Sequence, residues 1–194
     1  MADYAFRTIG DRLEIQRLWE QGYSPKEIAG TVGKSLDVVY TEGALALRDA
    51  FEYDVEESTR AAEAIRKNFG SSAEEAFSLI AAGAQNGLDF SGELIDTINE
   101  YSSQFAKLGF DADGMFNILQ AGADGTAWNL DKVGNAIKEF SIRAIDGSDA
   151  TVEAFTSLGY NADELMATFA AGGEGANDAF FDVLDTLMAV DDQV

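Results

Sequence analysis

One short pattern occurs three times in the chain and constrains the fold more than any other feature. Each copy begins with a glycine preceded by an apolar residue, has an alanine three positions later, and has a second glycine thirteen positions after the first. The copies span residues 70–83, 109–122 and 159–172. No reactive side chain recurs at the fixed positions, so the repeat is typical of a built helical structure rather than an active site.

Each copy predicts one helix with both of its ends marked. The first glycine suits the left-handed conformation that closes a preceding helix. A polar residue, which is Ser72, Asp111 or Asn161, then caps the next helix. Glu75 and Glu164 occupy the capping-box position in the first and third copies. The second glycine of each copy is predicted to end the helix about three turns later.

Composition favours helix almost throughout and excludes several kinds of chemistry. Of the 194 residues, 46% are hydrophobic, which is enough for a core, and the chain contains a single proline. The absence of cysteine and histidine excludes thiol nucleophiles, disulfides, histidine-based catalysis and Cys/His zinc sites. No apolar run approaches the roughly 18–20 residues of a membrane span, so we expect no membrane partner.

The pattern after residue 44 predicts antiparallel helices joined by short turns. Besides the repeated helices, we expect helices over about 44–51, 55–69, 92–107, 130–144, 149–158 and 176–190. Their expected caps are Asp54, Ser91, Asn129 and Asp149. Aromatic residues, among them Phe90 and Trp128, are expected to pack in the core, whereas the adjacent rings of Phe180 and Phe181 favour exposure of one as a contact. The predicted fold is all-α, an array of antiparallel helical hairpins.

Residues 1–44 predict a separate, small tri-helical segment. A helix over 11–21, a short helix that begins at Pro25 and a helix capped by Ser35 follow one another, and Gly43 is expected to break the last of them. Residues at matching positions are Ile28, Ala29, Gly33, Val38 and Val39. On these the segment resembles the helix-turn-helix of many bacterial and phage regulators and transposases. A compact cap of three small helices is the alternative.

The possible DNA contacts in this segment are Lys34, Ser35 and Thr41. Asp37 and Glu42 accompany them, whereas a reader of base edges usually presents arginine, asparagine, glutamine or lysine. We therefore expect nucleic-acid binding through residues 24–42 to be weak at best.

The net charge of −22 is concentrated in the later part of the chain. Residues 1–50 carry −2 and residues 51–194 carry −20. Such a field repels nucleic acid and attracts basic proteins. It indicates either an ordinary solvated surface or a surface that mimics DNA. The candidate acidic contact surface consists of Asp182, Asp185, Asp191 and Asp192.

Motifs that carry chemistry are few. Segments 111–114 and 146–149 hint at calcium loops but lack the ligand spacing of an EF-hand, so helix capping is the better interpretation. The glycine-rich segment 172–175 lacks the Lys-Ser/Thr of a phosphate-binding loop. We find no catalytic set, metal site or cofactor site, and we expect a protein that is not an enzyme.

Several segments together carry a family resemblance. They are residues 47–51, 61–70, 86–94, 100–105, 129–133 and 140–147. On these the chain, from about residue 45 to 194, resembles the core region of phage tail tape-measure proteins. The resemblance implies a structural protein that sits inside the tail tube, helps it to polymerise and leaves before DNA passes.

Three functional hypotheses follow, and all use the same division into a segment 1–44 and a helical domain 45–194. The first is a non-enzymatic phage tail tape-measure-like protein or fragment, whose partners are phage tail components. The alternative is a small phage regulator or anti-defence inhibitor, similar to an anti-CRISPR, whose acidic surface blocks a host nuclease or Cas protein. A DNA-binding repressor is the third and least favoured, because of the charge. These hypotheses place the protein in the host cytoplasm or in the virion tail.

Overall fold

The computed structural model of the chain describes residues 9–21, 23, 25–125 and 129–191. Those residues form eleven α-helices and no β-strand, which confirms the predicted all-α fold. In chain order the helices are α1 (Ile9–Glu20), α2 (Pro25–Val32), α3 (Leu36–Phe51), α4 (Val55–Phe69), α5 (Ala73–Gln85), α6 (Leu94–Lys107), α7 (Ala112–Asp124), α8 (Leu130–Arg143), α9 (Asp149–Ser157), α10 (Ala162–Ala171) and α11 (Gly173–Asp191).

The helices enclose two apolar cores of unequal size. α1, α2 and α3 pack against one another around the smaller core, which consists of Ile15, Leu18, Ile28, Ala29 and Val39. The larger core extends from Ala44 on α3 to Val183 on α11. The boundary predicted between residues 44 and 45 falls inside α3, a continuous helix that contributes to both cores. The division into a segment 1–44 and a domain 45–194 stays a prediction.

α6 packs against both α4 and α8 and joins them through polar contacts. The Asn68 amide donates to Ser102 Oγ at 2.8 Å, which links α4 to α6. The Tyr101 hydroxyl donates to Asp131 Oδ1 at 2.6 Å, which links α6 to α8. Burial and the neighbouring Asp131 carboxylate raise the pKa of the Tyr101 phenol. The phenol therefore remains a hydrogen-bond donor at neutral pH.

The first glycine of every repeat adopts the predicted left-handed conformation. Gly70, Gly109 and Gly159 have φ of 74°, 77° and 90°. The predicted caps are also confirmed, because the side chains of Ser72, Asp111 and Asn161 accept backbone N–H bonds from the third residues of α5, α7 and α10. In the first repeat the reciprocal bond from Glu75 completes a capping box.

The prediction that the second glycine ends each helix is correct for one copy and wrong for two. Gly172 follows the end of α10 at φ 70°. Gly83 and Gly122 lie inside α5 and α7, which continue past them. A Cβ atom at Gly83 would lie 3.0 Å from the Phe116 ring, and one at Gly122 would lie 2.5 Å from Val133. These two glycines therefore allow close helix packing and do not stop a helix.

The predicted break at Gly43 is also wrong. Gly43 is buried in the middle of α3, where a Cβ atom would lie 2.7 Å from the Phe77 ring on α5. Contact with Phe77 accounts for a glycine in the helix interior, at a cost in helix propensity of about 1 kcal/mol.

Two predicted caps and one predicted core residue need correction. α6 begins at Leu94, and the Asp89 carboxylate accepts the Leu94 N–H, so Ser91 is not the cap. Ser148 caps α9 in place of Asp149, which is the first helical residue. Phe90 lies in the non-helical segment between α5 and α6 and is 49% exposed. The predicted caps Asp54 and Asn129 are confirmed; Trp128 lies outside the described residues.

Candidate interaction surfaces

The three predicted DNA contacts lie at the start of α3 and along it. The Lys34 ammonium pairs with Asp11 Oδ2 of α1 at 3.3 Å, so part of its charge is already compensated. Ser35 is exposed at the N-cap position of α3. Thr41 is half-buried and lines an open groove between α3 and α4 with Thr59 and other residues of α4. DNA contact through these residues stays a prediction.

The predicted acidic surface is described in part. Asp182 and Asp185 are exposed on α11, one turn apart. Asp178 lies one turn before them and extends the same line. Asp191 is the last residue of α11, with its backbone described, and Asp192 lies outside the described residues. A contact role for these carboxylates stays a prediction.

No cation in the same part of the sequence balances these carboxylates. The last lysine or arginine of the chain is Arg143, and residues 144–194 contain eleven aspartate and glutamate residues. Among the described residues, Asp178, Asp182 and Asp185 form no ion pair. All charged side chains of α11 are therefore negative.

α10 and α11 form an antiparallel hairpin around Gly172. Tyr160, just before α10, donates its hydroxyl hydrogen to the Asp182 carbonyl oxygen at 2.9 Å or to Thr186 Oγ1 at 2.7 Å. These contacts place the start of α10 beside residues 182–186 of α11.

The two helices of this hairpin differ in length. α10 has 10 residues and α11 has 19. At a rise of about 1.5 Å per residue, α11 extends beyond α10 by roughly 13 Å. The part of α11 from residue 187 onwards therefore projects past the start of its partner helix.

Apolar residues continue along α11 into this projecting part. Val183 is 3% exposed, whereas Leu187 and Val190, which follow it at helical spacing on the same face, are 47% and 53% exposed. The neighbouring face adds Leu184 at 38% and Met188 at 61%. These four exposed residues, Leu184, Leu187, Met188 and Val190, are called the α11 overhang below.

Aromatic rings fix the first half of α11 to the bundle. The Phe180 ring lies 5.3 Å from Phe110 and 5.2 Å from Phe140 between centroids, both edge-to-face. Phe181 also contacts Phe110, at 5.8 Å, yet remains 42% exposed. The expectation that one of the two adjacent rings is exposed is therefore confirmed. The overhang is a continuation of an anchored helix.

Sequence reasoning missed the α11 overhang. It identified the carboxylates of this helix and the ring pair, but not the exposed aliphatic residues. A signal was present, because apolar residues occupy more than one face between Phe180 and Val190, which exceeds what a single buried face needs. Both ends of α10 were predicted, so the sequence left open only how α11 packs beside α10 and which of its apolar residues remain exposed.

The two aspartate-containing segments stabilise helix starts: Asp111 caps α7, and Asp146 holds the turn before α9, which Ser148 caps. Asp111 accepts the Gly114 N–H at 2.7 Å, and Asp146 accepts the Ser148 N–H at 2.8 Å. The hydrogen bond from the Ser148 backbone holds the pKa of Asp146 below its usual value. Among the described residues there is no group of three or more aspartate, glutamate, histidine or cysteine residues that could hold a metal ion. Within the same residues, no helix is both long and apolar enough to cross a bilayer.

Comparison with known proteins identifies the family. Residues 15–194 match the family model described as phage-related minor tail protein, so the match includes the second half of α1, α2 and α3 as well as the region of the predicted resemblance. The chain is 31% identical over 179 residues to a protein of Streptomyces phage phiC31 described as a "probable tape measure protein". The alignment covers 92% of this chain and 24% of that relative, so the chain spans about a quarter of its relative's length.

No solved structure matches the chain significantly. The predicted resemblance to phage tail tape-measure proteins is nevertheless confirmed. The matching family model describes phage-related minor tail proteins, and the phiC31 relative is described as a probable tape measure protein. The chain belongs to the phage-related minor tail protein family.

Proposed function

We propose that this chain is a non-enzymatic structural segment of a phage tail, of the tape-measure kind, and that it acts through contacts with other tail proteins. The observation that carries this proposal is the similarity to a tape measure protein over 92% of the chain. Exposed apolar residues on α11 support a role in protein contacts. The proposed location is the virion tail. The two matches lend no support to the anti-defence alternative.

The fold supports the proposal that this segment contributes to the tail through protein contacts and adds little to its length. A single continuous helix of 194 residues would reach roughly 290 Å at about 1.5 Å per residue. Hairpins instead return the chain on itself, and the larger core joins residues from α3 to α11. We infer that the segment forms a compact body within a longer tape-measure-like protein.

Tail assembly tests this proposal directly. An amber codon placed early in the gene, in the phage that encodes the chain, is expected to abolish complete tails in a non-suppressing host and to leave them intact in a suppressing host. Electron microscopy measures the tails, and mass spectrometry of purified tails is expected to recover peptides from the chain. Normal tails that lack these peptides would contradict the proposal.

A further inference from the structure

The α11 overhang is an apolar surface in an acidic setting. Leu187 and Val190 continue the buried face of the helix, and Leu184 and Met188 widen the apolar surface on one side. Beyond Leu184 and Met188 on that side the helix turns to carboxylates. A partner that covers the apolar residues would also meet negative charge.

The acidic edge is formed by Asp178, Asp182 and Asp185, which recur at helical spacing along one face of α11. All three are exposed, and residues 144–194 supply no lysine or arginine to neutralise them. Positive charge at this edge must therefore come from outside residues 144–194.

We propose that the α11 overhang binds a basic amphipathic α-helix of another protein. The apolar face of that helix packs on Leu184, Leu187, Met188 and Val190, and its flanking lysine or arginine residues face Asp182 and Asp185. This inference rests on the proposed function in one respect, since it names the chemistry of a partner for a protein that acts through contacts.

A second copy of the chain fits this surface less well. Two α11 helices packed through the overhang would bring two acidic edges together, and neither copy carries a cation after Arg143. Facing like charges are destabilising, so charge complementarity selects a basic partner over a like one.

Three labelled helical peptides of about 18 residues test the proposal with the full chain. The peptides share one apolar stripe with helical spacing, and their polar positions carry lysine and arginine, glutamine and serine, or glutamate. Fluorescence anisotropy is expected to show that the basic peptide binds at least about tenfold more tightly than the neutral one and that the acidic one does not bind. The advantage of the basic peptide is expected to shrink as sodium chloride rises from about 50 to 300 mM.

Two α11 variants and two matched controls locate the binding. Leu187→Gln/Met188→Gln/Val190→Gln is expected to weaken binding of the basic peptide at least about tenfold, because it removes the exposed apolar surface. Asp182→Asn/Asp185→Asn is expected to reduce the preference for the basic peptide and its salt dependence. The controls change other exposed residues: Ile142→Gln/Ile145→Gln/Val152→Gln for the apolar variant and Glu153→Gln/Glu164→Gln for the acidic one.

Each outcome supports or overturns the proposal. Equal binding of the basic and neutral peptides, no binding of the basic peptide, or equal losses in α11 variants and controls would overturn it. Sedimentation that shows a dimer abolished by the apolar α11 variant would assign the surface to a second copy instead. The peptide test does not depend on tail assembly, so the two proposals can fail separately. If the amber codon abolishes tails but the basic peptide does not bind, the tail role is supported and the partner proposal is overturned.

Discussion

The central bundle, α4–α8, and the C-terminal hairpin, α10–α11, are both built from α-helices, but they differ in how far they bury their apolar residues. In the bundle, glycines allow close packing: Gly134 on α8 lies against the Tyr101 ring, and Gly122 against Val133. In the hairpin, α11 outruns α10 and leaves Leu187, Met188 and Val190 exposed. The bundle buries its apolar residues at close helix contacts, whereas the hairpin leaves several of its own exposed.

The two regions also differ in how they treat charge. In the bundle, Arg66 and Lys67 pair with Glu63, and Lys138 pairs with Glu100 across two helices. The hairpin contains carboxylates and no cation. Exposed ion pairs stabilise a fold little, but carboxylates without them produce a negative electrostatic potential that favours positively charged partners. The comparison separates a region that pairs some of its carboxylates internally from a region that contains carboxylates and no cation.

The largest expected effect concerns the glycine that positions the hairpin on the bundle. Gly109 has φ 77°, and a Cβ atom there would overlap the carbonyl group of Gly173 at the start of α11. Gly109→Ala is therefore expected to destabilise by about 3 kcal/mol, from backbone strain plus a clash with backbone that cannot move freely. Chemical denaturation measures the change.

Gly159→Ala is the matched control for this variant. Gly159 has φ 90°, but nothing lies within 4 Å of its Cβ position. Strain alone is expected there, at a cost of about 1 kcal/mol. Equal losses of stability at the two positions would show that the close contact between Gly109 and Gly173 does not contribute to stability.

A matched pair on α11 separates buried from uncovered apolar residues. Val183 and Val190 lie on the same helix face, seven residues apart, but they are 3% and 53% exposed. Val183→Ala is expected to cost about 2 kcal/mol, since it removes buried methyl groups and leaves a cavity. Val190→Ala is expected to change stability by less than about 0.5 kcal/mol. A comparable loss at Val190 in the isolated chain would mean that the overhang is already covered.

In the bundle, Gly134→Ala is expected to destabilise by about 1–2 kcal/mol. A Cβ atom at Gly134 would overlap the ring of Tyr101, which is 3% exposed and held by Asp131. Gly30→Ala on α2 is the control, because its Cβ would meet nothing within 4 Å. The control is expected to stabilise by about 0.5–1 kcal/mol through helix propensity. Thermal melts of both variants would contradict the packing argument if they shifted in the same direction.

The same glycines show what could be predicted from the sequence. Helix caps and left-handed glycines follow from neighbouring residues, so Ser72, Asp111 and Gly70 were predicted correctly. The predicted helix ends at Gly83 and Gly122 are wrong, because these glycines serve contacts with Phe116 and Val133 on other helices, which the local sequence does not show. Local sequence indicates where a helix begins, but tertiary contacts decide whether a glycine ends a helix or allows another side chain to pack closely against it.

The candidate surface divides in the same way. The carboxylates Asp182 and Asp185 were identified from the sequence, because charge is readable without a fold. The exposure of Leu187 and Met188 was not, since it depends on how α11 packs beside α10 and the rest of the bundle. The family itself was recognised from the sequence, over residues that the family model also matches.

The smallest expected effect is the pH dependence of stability that arises from the ion pairs of Glu63 in the bundle. Hydrogen bonding and ion pairing with Arg66, and then with Lys67, lower the pKa of Glu63 to about 2. Because the folded-state pKa lies below the unfolded value, the stabilisation is present above about pH 4.5 and is lost as the pH falls toward 2. The side chain is 40% exposed, so solvent screening keeps the effect below about 1 kcal/mol.

Glu63→Gln isolates this effect. The variant is expected to be slightly less stable than the parent at pH 6. The difference is expected to vanish toward pH 2, because protonation then makes Glu63 of the parent neutral, like the glutamine of the variant. Urea denaturation at a series of pH values measures the difference. A gap that persisted at low pH would reflect packing of the glutamate stem, and a gap that was absent at pH 6 would show that internal charge matching does not stabilise the bundle.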